Sequence, residues 1–505
     1  MPNLRCLTAL LALAVLSPAF ADEPPKDKGD KSDKGDKDKG QDVLALLPAD
    51  SVTQHSIQAG AQHLNYTATA GTLTMRDDKG ERSALVFYVA YTLQGAQAGT
   101  RPVSFFFNGG PGAGTAYLHL GAAGPMAIEF PPGNEADGSG AKLKENPDTW
   151  LPFTDMVFID AIGTGWSRPA KTDDAVKAFW GVKQDGQAFA KAISLWLGKN
   201  GRGQSPKYLV GESYGGIRSL KVARELQMEQ SILLDGIVMV SPAIDMDALG
   251  GGELAVMPDA LLLPTFAGAA LERQHKFSAD KVEDAYKFAT GDYLTTVIGT
   301  PPTGDAAKAF YGKVADLTGV PEAVVAKQRA RLDIGSHDVR SIDGNRLISA
   351  YEASLTIPDP FPEGGEGLDN DPVLFGYTRA YGGLFSAYAS EQLGFKTDLT
   401  YKLLALDVNE KWEMHSDGHG PVTGYEDMRR LLALDPSLKI FVSGGYFDLV
   451  VPFEINRWLI DHLPVGRDRV TFKVYPGGHM LYSRPASRAA LKSDVAAFYG
   501  SAGAK

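Results

Sequence analysis

The residues best suited to chemistry in this chain form the motif Gly211-Glu212-Ser213-Tyr214-Gly215. Just before it, the apolar run at 208–210 predicts a buried strand, and after it apolar residues recur every three positions, as on one face of a helix. Between a strand and a helix, Gly-x-Ser-x-Gly makes a sharp turn that lifts the serine Oγ clear of the sheet. An ordinary glycine-rich loop is the alternative reading of such a motif, but the flanking elements favour a catalytic one. We therefore predict that Ser213 is a nucleophile.

A serine hydroxyl needs a histidine to take its proton and a carboxylate to hold that histidine in the right tautomer. Two β-prone runs nearer the C-terminus lead to such residues. Residues 439–443 precede a loop that carries Asp448, and residues 470–474 lead into Pro-Gly-Gly-His, which ends at His479. None of the other eight histidines follows a β-prone run and a Gly-Gly pair after the serine motif. Asp448 and His479 thus fall at the C-terminal ends of predicted strands, where parallel sheets build their sites.

A third requirement is a set of donors for the oxyanion that forms when the serine attacks a carbonyl. One donor should be the backbone N–H of Tyr214, which follows the nucleophile, and the other should come from a glycine-rich loop after an earlier strand. The run Val-Ser-Phe-Phe-Phe at 103–107 predicts that strand, and Asn-Gly-Gly-Pro-Gly-Ala-Gly at 108–114 is that loop. A phosphate-binding loop is excluded, because neither a Gly-Lys-Ser/Thr ending nor Gly-x-Gly-x-x-Gly spacing is present.

These motifs together resemble the serine carboxypeptidase family, which has the α/β-hydrolase fold. Asn-Gly-Gly-Pro-Gly at 108–112 and Gly-Glu-Ser-Tyr-Gly-Gly at 211–216 carry the resemblance, which extends over most of the chain after about residue 85. Proline iminopeptidases differ in having His before Gly-Gly-Pro-Gly. Further segments look like parts of the same family: Asn146-Pro147 with Trp150, Phe158-Ile159-Asp160, Gly163-Thr164-Gly165-Trp166-Ser167 and Gly478-His479-Met480.

The resemblance implies a serine-type carboxypeptidase that releases C-terminal amino acids through an acyl-enzyme on Ser213. It implies that three residues bind the terminal carboxylate of a peptide substrate, namely Asn108, Gly109 and Glu212. It also implies that the N–H groups of Gly110 and Tyr214 form the oxyanion hole. No cofactor or metal is expected, and the predicted partners are peptides with a free C-terminus.

Three departures from the family's pattern leave other functions open. Phe106 stands where the family often has Trp, Ala122 where it often has Glu or Gln, and Ala113 where it usually has Cys. Phe106 and Ala122 cannot supply the hydrogen bonds to a carboxylate that Trp and Glu or Gln would supply. These two departures therefore favour an esterase or acyltransferase of the same fold. An inactive extracellular binding protein is a third reading, against which the complete set of Ser, Asp and His argues.

The first residues predict export. Met1–Ala21 has the form of a secretory signal peptide, with one basic residue, an apolar run too short to span a bilayer and an Ala-x-Ala site that predicts cleavage after Ala21. The chain's single cysteine, Cys6, lies in that segment, so the mature protein would have no disulfide and fits a secreted or periplasmic enzyme. The formal net charge of −11 argues against nucleic acid and anionic membranes as partners.

Five segments are predicted. The signal peptide at 1–21 is followed by a disordered Lys/Asp/Gly-rich linker at 22–43, which has almost no apolar residues to bury. A mostly parallel sheet with helices on both faces is expected from 44–248 and again from 376–505, because strand and helix patterns alternate there. The β-prone runs at 67–75 and 84–92, around Asp-Asp-Lys-Gly at 77–80, predict a hairpin that opens this sheet at an antiparallel edge. Residues 249–375 interrupt that alternation with helical stretches, such as 280–290 and 321–332, between Pro/Gly breaks. This pattern predicts a largely helical cap over the substrate cleft; an independent domain is the alternative.

One further pattern, His415-Ser416-Asp417-Gly418-His419, has the residue types of metal ligands. No third ligand at a suitable spacing is evident from the sequence, so we predict no metal site there.

Overall fold

The computed structural model describes residues 43–131, 138–250, 254–342, 345–363, 371–414 and 422–503. The predicted signal peptide, all but the last residue of the predicted linker and the segment His415–His419 lie outside these residues.

Strands alternate with helices along most of the described chain. The strands are β1 (Ser51–Ala59), β2 (Gln62–Arg76), β3 (Arg82–Leu93), β4 (Val103–Phe107), β5 (Met126–Glu129), β6 (Lys142–Glu145), β7 (Asp155–Ile159), β8 (Arg168–Pro169), β9 (Lys207–Glu212), β10 (Gly236–Val240), β11 (Ser341–Ile342), β12 (Arg346–Ile348), β13 (Thr356–Pro358), β14 (Lys439–Gly445) and β15 (Val470–Tyr475). The helices are α1 (Ala116–Leu118), α2 (Thr172–Ala178), α3 (Val182–Lys199), α4 (Gly215–Glu229), α5 (Met246–Leu249), α6 (Met257–Arg273), α7 (Ala279–Phe288), α8 (Leu294–Ile298), α9 (Gly304–Thr318), α10 (Glu322–Lys327), α11 (His337–Arg340), α12 (Pro372–Glu391), α13 (Leu406–Glu410), α14 (Tyr425–Leu434), α15 (Phe453–Asp461) and α16 (Pro485–Gly503).

The main sheet has the strand order β1-β2-β3-β7-β4-β9-β10-β14-β15, with β8 beside β3. Strands β1 to β3 pair antiparallel with one another, and β3 pairs antiparallel with β7. From β7 to β15 every pairing is parallel. The predicted mostly parallel sheet with an antiparallel edge is therefore confirmed, and with it the α/β-hydrolase fold.

Strands in the middle of the sheet are buried on both faces. Every residue of β4, β7 and β10 is buried, as expected for parallel strands covered by helices on both sides. On one face α3, α4 and α15 pack over Phe105 and Leu209, and on the other α12 and α16 pack over Phe106 and Val210. The predicted apolar stripe of α4 is fully buried: Ile217, Leu220, Ala223 and Leu226.

The antiparallel edge is larger than the sequence indicated. The predicted hairpin is present as β2 and β3, and β1 adds an outer strand that was not predicted. The first six residues of β1 alternate between partly and fully exposed positions, and only Ile57 and Ala59 are buried. Only one face of this edge strand is covered, and most residues that β1 places on that face are polar. The hydrophobic pattern of the strand is therefore weak.

The segment predicted as a cap contains helices α6 to α11 and a small sheet, β11-β12-β13, that was not predicted. The helix expected over 321–332 ends at Lys327, because the backbone turns through positive φ at Arg329 and Ala330. Helix α12 crosses the predicted boundary at residue 375. That the segment covers the substrate cleft stays a prediction.

Candidate active site

The turn between β9 and α4 holds Ser213 in a conformation that few non-glycine residues adopt. Its φ is 60°, in the left-handed region, and three backbone hydrogen bonds fix it there. The Ser213 N–H donates to the Val240 carbonyl at 3.1 Å, and the Ser213 carbonyl accepts from Gly216 and Ala243 at 2.8 and 2.9 Å. A side chain at Gly211 would place its Cβ 2.2 Å from the Gly215 carbonyl oxygen, so this glycine of the motif is required by close backbone approach.

Asp448 and His479 form a buried hydrogen-bonded pair at the ends of β14 and β15. His479 Nδ1 lies 2.8 Å from Asp448 Oδ2, and both side chains are almost completely buried. The other carboxylate oxygen of Asp448 accepts from the N–H groups of Val450 and Val451, both at 2.9 Å. With a proton on Nδ1 directed to the carboxylate, Nε2 of His479 is left as the acceptor for a proton from a nucleophile.

The loop that carries His479 is held by the segment after β12. The His479 N–H donates to the Tyr351 carbonyl at 2.7 Å, and the Gly478 N–H donates to Glu352 Oε2 at 2.6 Å. The same segment bonds the loop of Asp448, through Leu449 N–H to Ala350 and Ala353 N–H to Phe447, at 3.0 and 2.9 Å. The insertion therefore contacts His479 directly and Asp448 through both of its chain neighbours.

Glu352 is itself fixed in place. It is buried, and its Oε1 accepts from Ser354 Oγ and, at 3.3 Å, from Arg484 Nη2. Arg484 also donates through Nη1 to Glu272 on α6, at 2.7 Å. Arg484, which follows the loop of His479, thus links α6 through Glu272 to the segment after β12 through Glu352.

The glycine-rich loop after β4 lies against the serine turn. A Cβ at Gly109 would be 2.5 Å from the Tyr214 nitrogen, so the two segments are in backbone contact. Within the described chain, no hydrogen bond uses the N–H of Gly110 or of Tyr214. Two such amides beside a nucleophile are what an oxyanion hole requires.

Arg218, near the start of α4, fixes the backbone of this loop. Its side chain is fully buried, Nη1 donates to the Asn108 carbonyl, and Nε donates to Asp185 Oδ2 at 2.6 Å. Its guanidinium also lies 4.8 Å from the ring centre of Phe189. The buried charge is therefore paired and stacked, and it fixes the backbone that precedes Gly109 and Gly110.

The side chain before the nucleophile, Glu212, is buried and has neutral donors around it. Asn108 Nδ2 donates to Oε2 at 2.6 Å, and Tyr482 Oη lies 3.0 Å from Oε1 and 2.8 Å from Oε2, so its one proton can be shared between the two oxygens. Burial raises the pKa of Glu212 to about 7, against the smaller opposing effects of His479 and these hydrogen bonds. A carboxyl group with such a pKa can hold a proton at mildly acidic pH.

His479 is subject to the opposite balance. Burial alone lowers its pKa, but the charge of Asp448, the hydrogen bond to it and nearby Glu212 together raise the pKa above its usual value. His479 therefore becomes protonated, and unable to act as a base, at a higher pH than an isolated histidine.

All eight predicted site residues lie at the C-terminal ends of the parallel strands. Asn108, Gly109 and Gly110 follow β4, Glu212 ends β9 and Ser213 and Tyr214 follow it, and Asp448 and His479 follow β14 and β15. Hydrogen bonds join Asn108 to Glu212 and Asp448 to His479.

The sequence reasoning missed four residues that hold this arrangement: Arg218, Glu352, Tyr482 and Arg484. Only Tyr482 had a usable signal, since it stands three positions after His479. The partners of the other three come from distant parts of the chain.

Within the described ranges, no group of three or more His, Cys, Asp or Glu side chains is placed to hold a metal ion. No helix of the same residues is long and apolar enough to cross a bilayer.

A model of the serine carboxypeptidase family matches residues 60–286 of this chain. The match includes the glycine-rich loop at 108–112 and the nucleophile motif at 211–216, whereas Asp448 and His479 lie beyond it. The chain thus has the α/β-hydrolase fold, and over residues 60–286 it is similar to the serine carboxypeptidase family.

Two curated proteins are similar to parts of the chain. "Serine carboxypeptidase-like 28" of Arabidopsis thaliana is 26% identical over 199 residues, which are 38% of this chain and 40% of that protein. "Carboxypeptidase sxa2" of Schizosaccharomyces pombe is 27% identical over 155 residues, 30% of this chain and 28% of that protein. The chain therefore matches two fifths or less of the length of these relatives.

Among solved structures, a loop variant of a haloalkane dehalogenase from Bradyrhizobium elkanii is similar, with a TM-score of 0.36 and 12% identity. The similarity covers 90% of this chain and 100% of the dehalogenase. The strand order of the main sheet defines the fold.

The pairing of Asp448 with His479 predicts the effect of Asp448→Asn. An amide at this position favours the wrong imidazole tautomer, so kcat should fall by about 10⁴-fold while the fold is retained. Turnover of an activated ester and the rate of labelling by a fluorophosphonate measure the loss, and Ser213→Ala should abolish labelling. Exposed Asp468 provides the matched control, since Asp468→Asn should change neither rate. Near-normal turnover in Asp448→Asn would contradict the assignment of the triad.

The contact between Glu352 and Gly478 predicts that part of the insertion supports catalysis and not only substrate choice. Glu352→Ala removes the acceptor that fixes the His479 loop, so kcat should fall by about ten- to a hundredfold for peptides and small esters alike. Glu352→Gln, which keeps an acceptor oxygen, should recover most of the loss. Glu272→Ala removes the other partner of Arg484 without touching Gly478 and should have little effect. A loss confined to peptides would show that Glu352 acts on the substrate cleft instead.

Proposed function

We propose that this protein is a serine-type carboxypeptidase that cleaves the last peptide bond of substrates with a free C-terminus. The observation that carries the proposal is the buried carboxyl group of Glu212, which lies beside the nucleophile and is held by Asn108 and Tyr482. A carboxypeptidase can use it to bind the carboxyl group that distinguishes its substrates.

The proposed reaction begins when Ser213 Oγ attacks the carbonyl carbon of the last peptide bond and His479 Nε2 takes the hydroxyl proton. The carbonyl oxygen becomes an oxyanion, which accepts hydrogen bonds from the N–H groups of Gly110 and Tyr214. The C–N bond then breaks, the leaving amino group receives the proton from His479, and the C-terminal amino acid departs. A water molecule then gives a proton to His479 and attacks the acyl carbon on Ser213. The bond between that carbon and Ser213 Oγ breaks, His479 returns the proton to Oγ, and the shortened peptide departs.

The terminal carboxylate of the substrate would face Glu212, Asn108 and Gly109. Two ionised carboxylates at hydrogen-bonding distance repel strongly, so one of the pair must keep a proton in the complex. Because burial has already raised the pKa of Glu212 to about 7, Glu212 is suited to supply that proton without a large cost.

This arrangement predicts how KM depends on pH. For a peptide acid, KM should be low while Glu212 is protonated and should climb as pH rises through about 7. On the acid side, kcat/KM should fall as His479 becomes protonated, so peptide acids have a narrow optimum. For the matched peptide amide, which has no second carboxylate, KM should depend far less on pH, and Glu212→Gln should flatten the curve for the acid.

The measurement is KM against pH for one peptide as the acid, the amide and the methyl ester. If the amide is cut as well as the acid at every pH, the carboxypeptidase proposal fails. The esterase or acyltransferase reading, which Phe106 and Ala122 favour, then takes precedence, and an acyl acceptor assay with added alcohols and amines separates those two.

We also propose that the protein is exported, on the support of the sequence pattern of Met1–Ala21. N-terminal sequencing of the protein recovered from the periplasm or the medium of a bacterial host should then begin at Asp22. A protein that keeps Met1 and stays with the cytoplasmic fraction would overturn this proposal.

A further inference from the structure

The hydroxyl of Tyr482 is one of only two side-chain donors to Glu212 among the residues that the structure describes. The other is the amide of Asn108, whose Oδ1 accepts from the Leu118 N–H at 3.1 Å. That contact fixes which end of the amide faces Glu212. Tyr482 bonds both carboxylate oxygens, so it controls the orientation of the whole group.

Tyr482 reaches Glu212 from the turn that follows His479. It lies in a short 3₁₀ helix, Leu481–Ser483, and is fully buried. Its ring packs on the segment His119–Ala123, where a Cβ at Gly121 would be 2.3 Å from the ring atom Cε2. Glycine at 121 is therefore needed to make room for the ring.

The position next to Gly121 is Ala122, where the family resemblance leads one to expect Glu or Gln. Alanine can offer Glu212 no hydrogen bond. The Tyr482 ring packs against this same segment, and its hydroxyl reaches Glu212.

We propose that Tyr482 is a positioning residue of the carboxylate site, which holds the Glu212 carboxyl group toward the C-terminal carboxylate of the substrate. This inference rests on the proposed carboxypeptidase function. Tyr482 also connects the loop of His479 to the carboxylate site. The groups proposed to act on the last peptide bond and on the terminal carboxylate are therefore linked through one short segment, residues 479–482.

The hydroxyl has a defined effect on the charge of Glu212. A donor to a carboxylate stabilises its ionised form, so removal of the hydroxyl should raise the pKa of Glu212 further. Burial, together with nearby Glu212, raises the pKa of Tyr482 itself well above its usual value, so the hydroxyl keeps its proton over the working range. The titratable groups that face Glu212 from the surrounding elements are His479, Asp448, Tyr117, Tyr351, Tyr381 and Tyr482.

The chain offers a matched control in Tyr381. It is a second fully buried tyrosine near Glu212, and its hydroxyl has no hydrogen-bond partner among the described residues. Tyr482→Phe and Tyr381→Phe each remove one buried hydroxyl, but only the first removes a bond to Glu212.

The experiment measures the pKa of Glu212 in the free enzyme by infrared difference spectroscopy, with Glu212→Gln as the reference, and KM against pH for a peptide acid and its amide. Tyr482→Phe should raise the pKa of Glu212 by about one pH unit, as expected for a hydrogen bond to a charged group. The rise of KM for the acid should move to higher pH by the same amount, while KM for the amide is unchanged. Tyr381→Phe should leave both quantities at their wild-type values.

If Tyr482→Phe matches Tyr381→Phe while the wild type still distinguishes acid from amide, the role of Tyr482 is wrong and the carboxypeptidase proposal stands. If the wild type treats acid and amide alike, the carboxypeptidase proposal fails, and the role in substrate binding fails with it. Should Tyr482→Phe not fold, 3-fluorotyrosine at position 482 keeps the shape and makes the hydroxyl a stronger donor. It should lower the pKa of Glu212, and an unchanged pKa would overturn the inference.

Discussion

The left-handed backbone at Ser213 is the constraint on which the rest of the site depends. A residue with a Cβ occupies this conformation only when its surroundings hold it there, and here the Val240 carbonyl and the N–H groups of Gly216 and Ala243 do so. The turn places the side chain of residue 213 outside the sheet and leaves Glu212 buried behind it. The partly exposed Ser213 and the buried Glu212 are thus neighbours in the chain but lie in different environments. Burial raises the pKa of the Glu212 carboxyl group to about 7.

Two buried hydrogen-bonded pairs beside the site, Asp448 with His479 and Arg218 with Asp185, have different effects. Asp448 and His479 are buried together, and their hydrogen bond leaves one imidazole nitrogen as a base. Arg218 and Asp185 are also buried together, but Arg218 donates to the backbone of Asn108 and so fixes a loop. A buried ion pair adds little net stability by itself, and its value here is the geometry that it enforces.

The insertion between α5 and α12 contacts the loops that carry Asp448 and His479. Its apolar cluster includes Phe447 and Leu449, which flank Asp448 in the chain. The segment around Tyr351 and Glu352 then bonds the loop of His479. A structure in which the insertion moved as an independent domain would have to break these contacts.

The sequence by itself determined the parallel sheet, the serine turn and the eight candidate residues. Each rests on a local pattern: an apolar run for β9 and β14, a periodic stripe for α4, and glycines where the backbone must come close. It could not give β1, whose exposed polar pattern carries little hydrophobic signal, or the end of α10, which a backbone turn decides. Only the tertiary structure brought Tyr482 to Glu212, Arg218 to Asn108 and Glu352 to Gly478, because these contacts join residues 110 to 270 positions apart and leave no mark on local sequence.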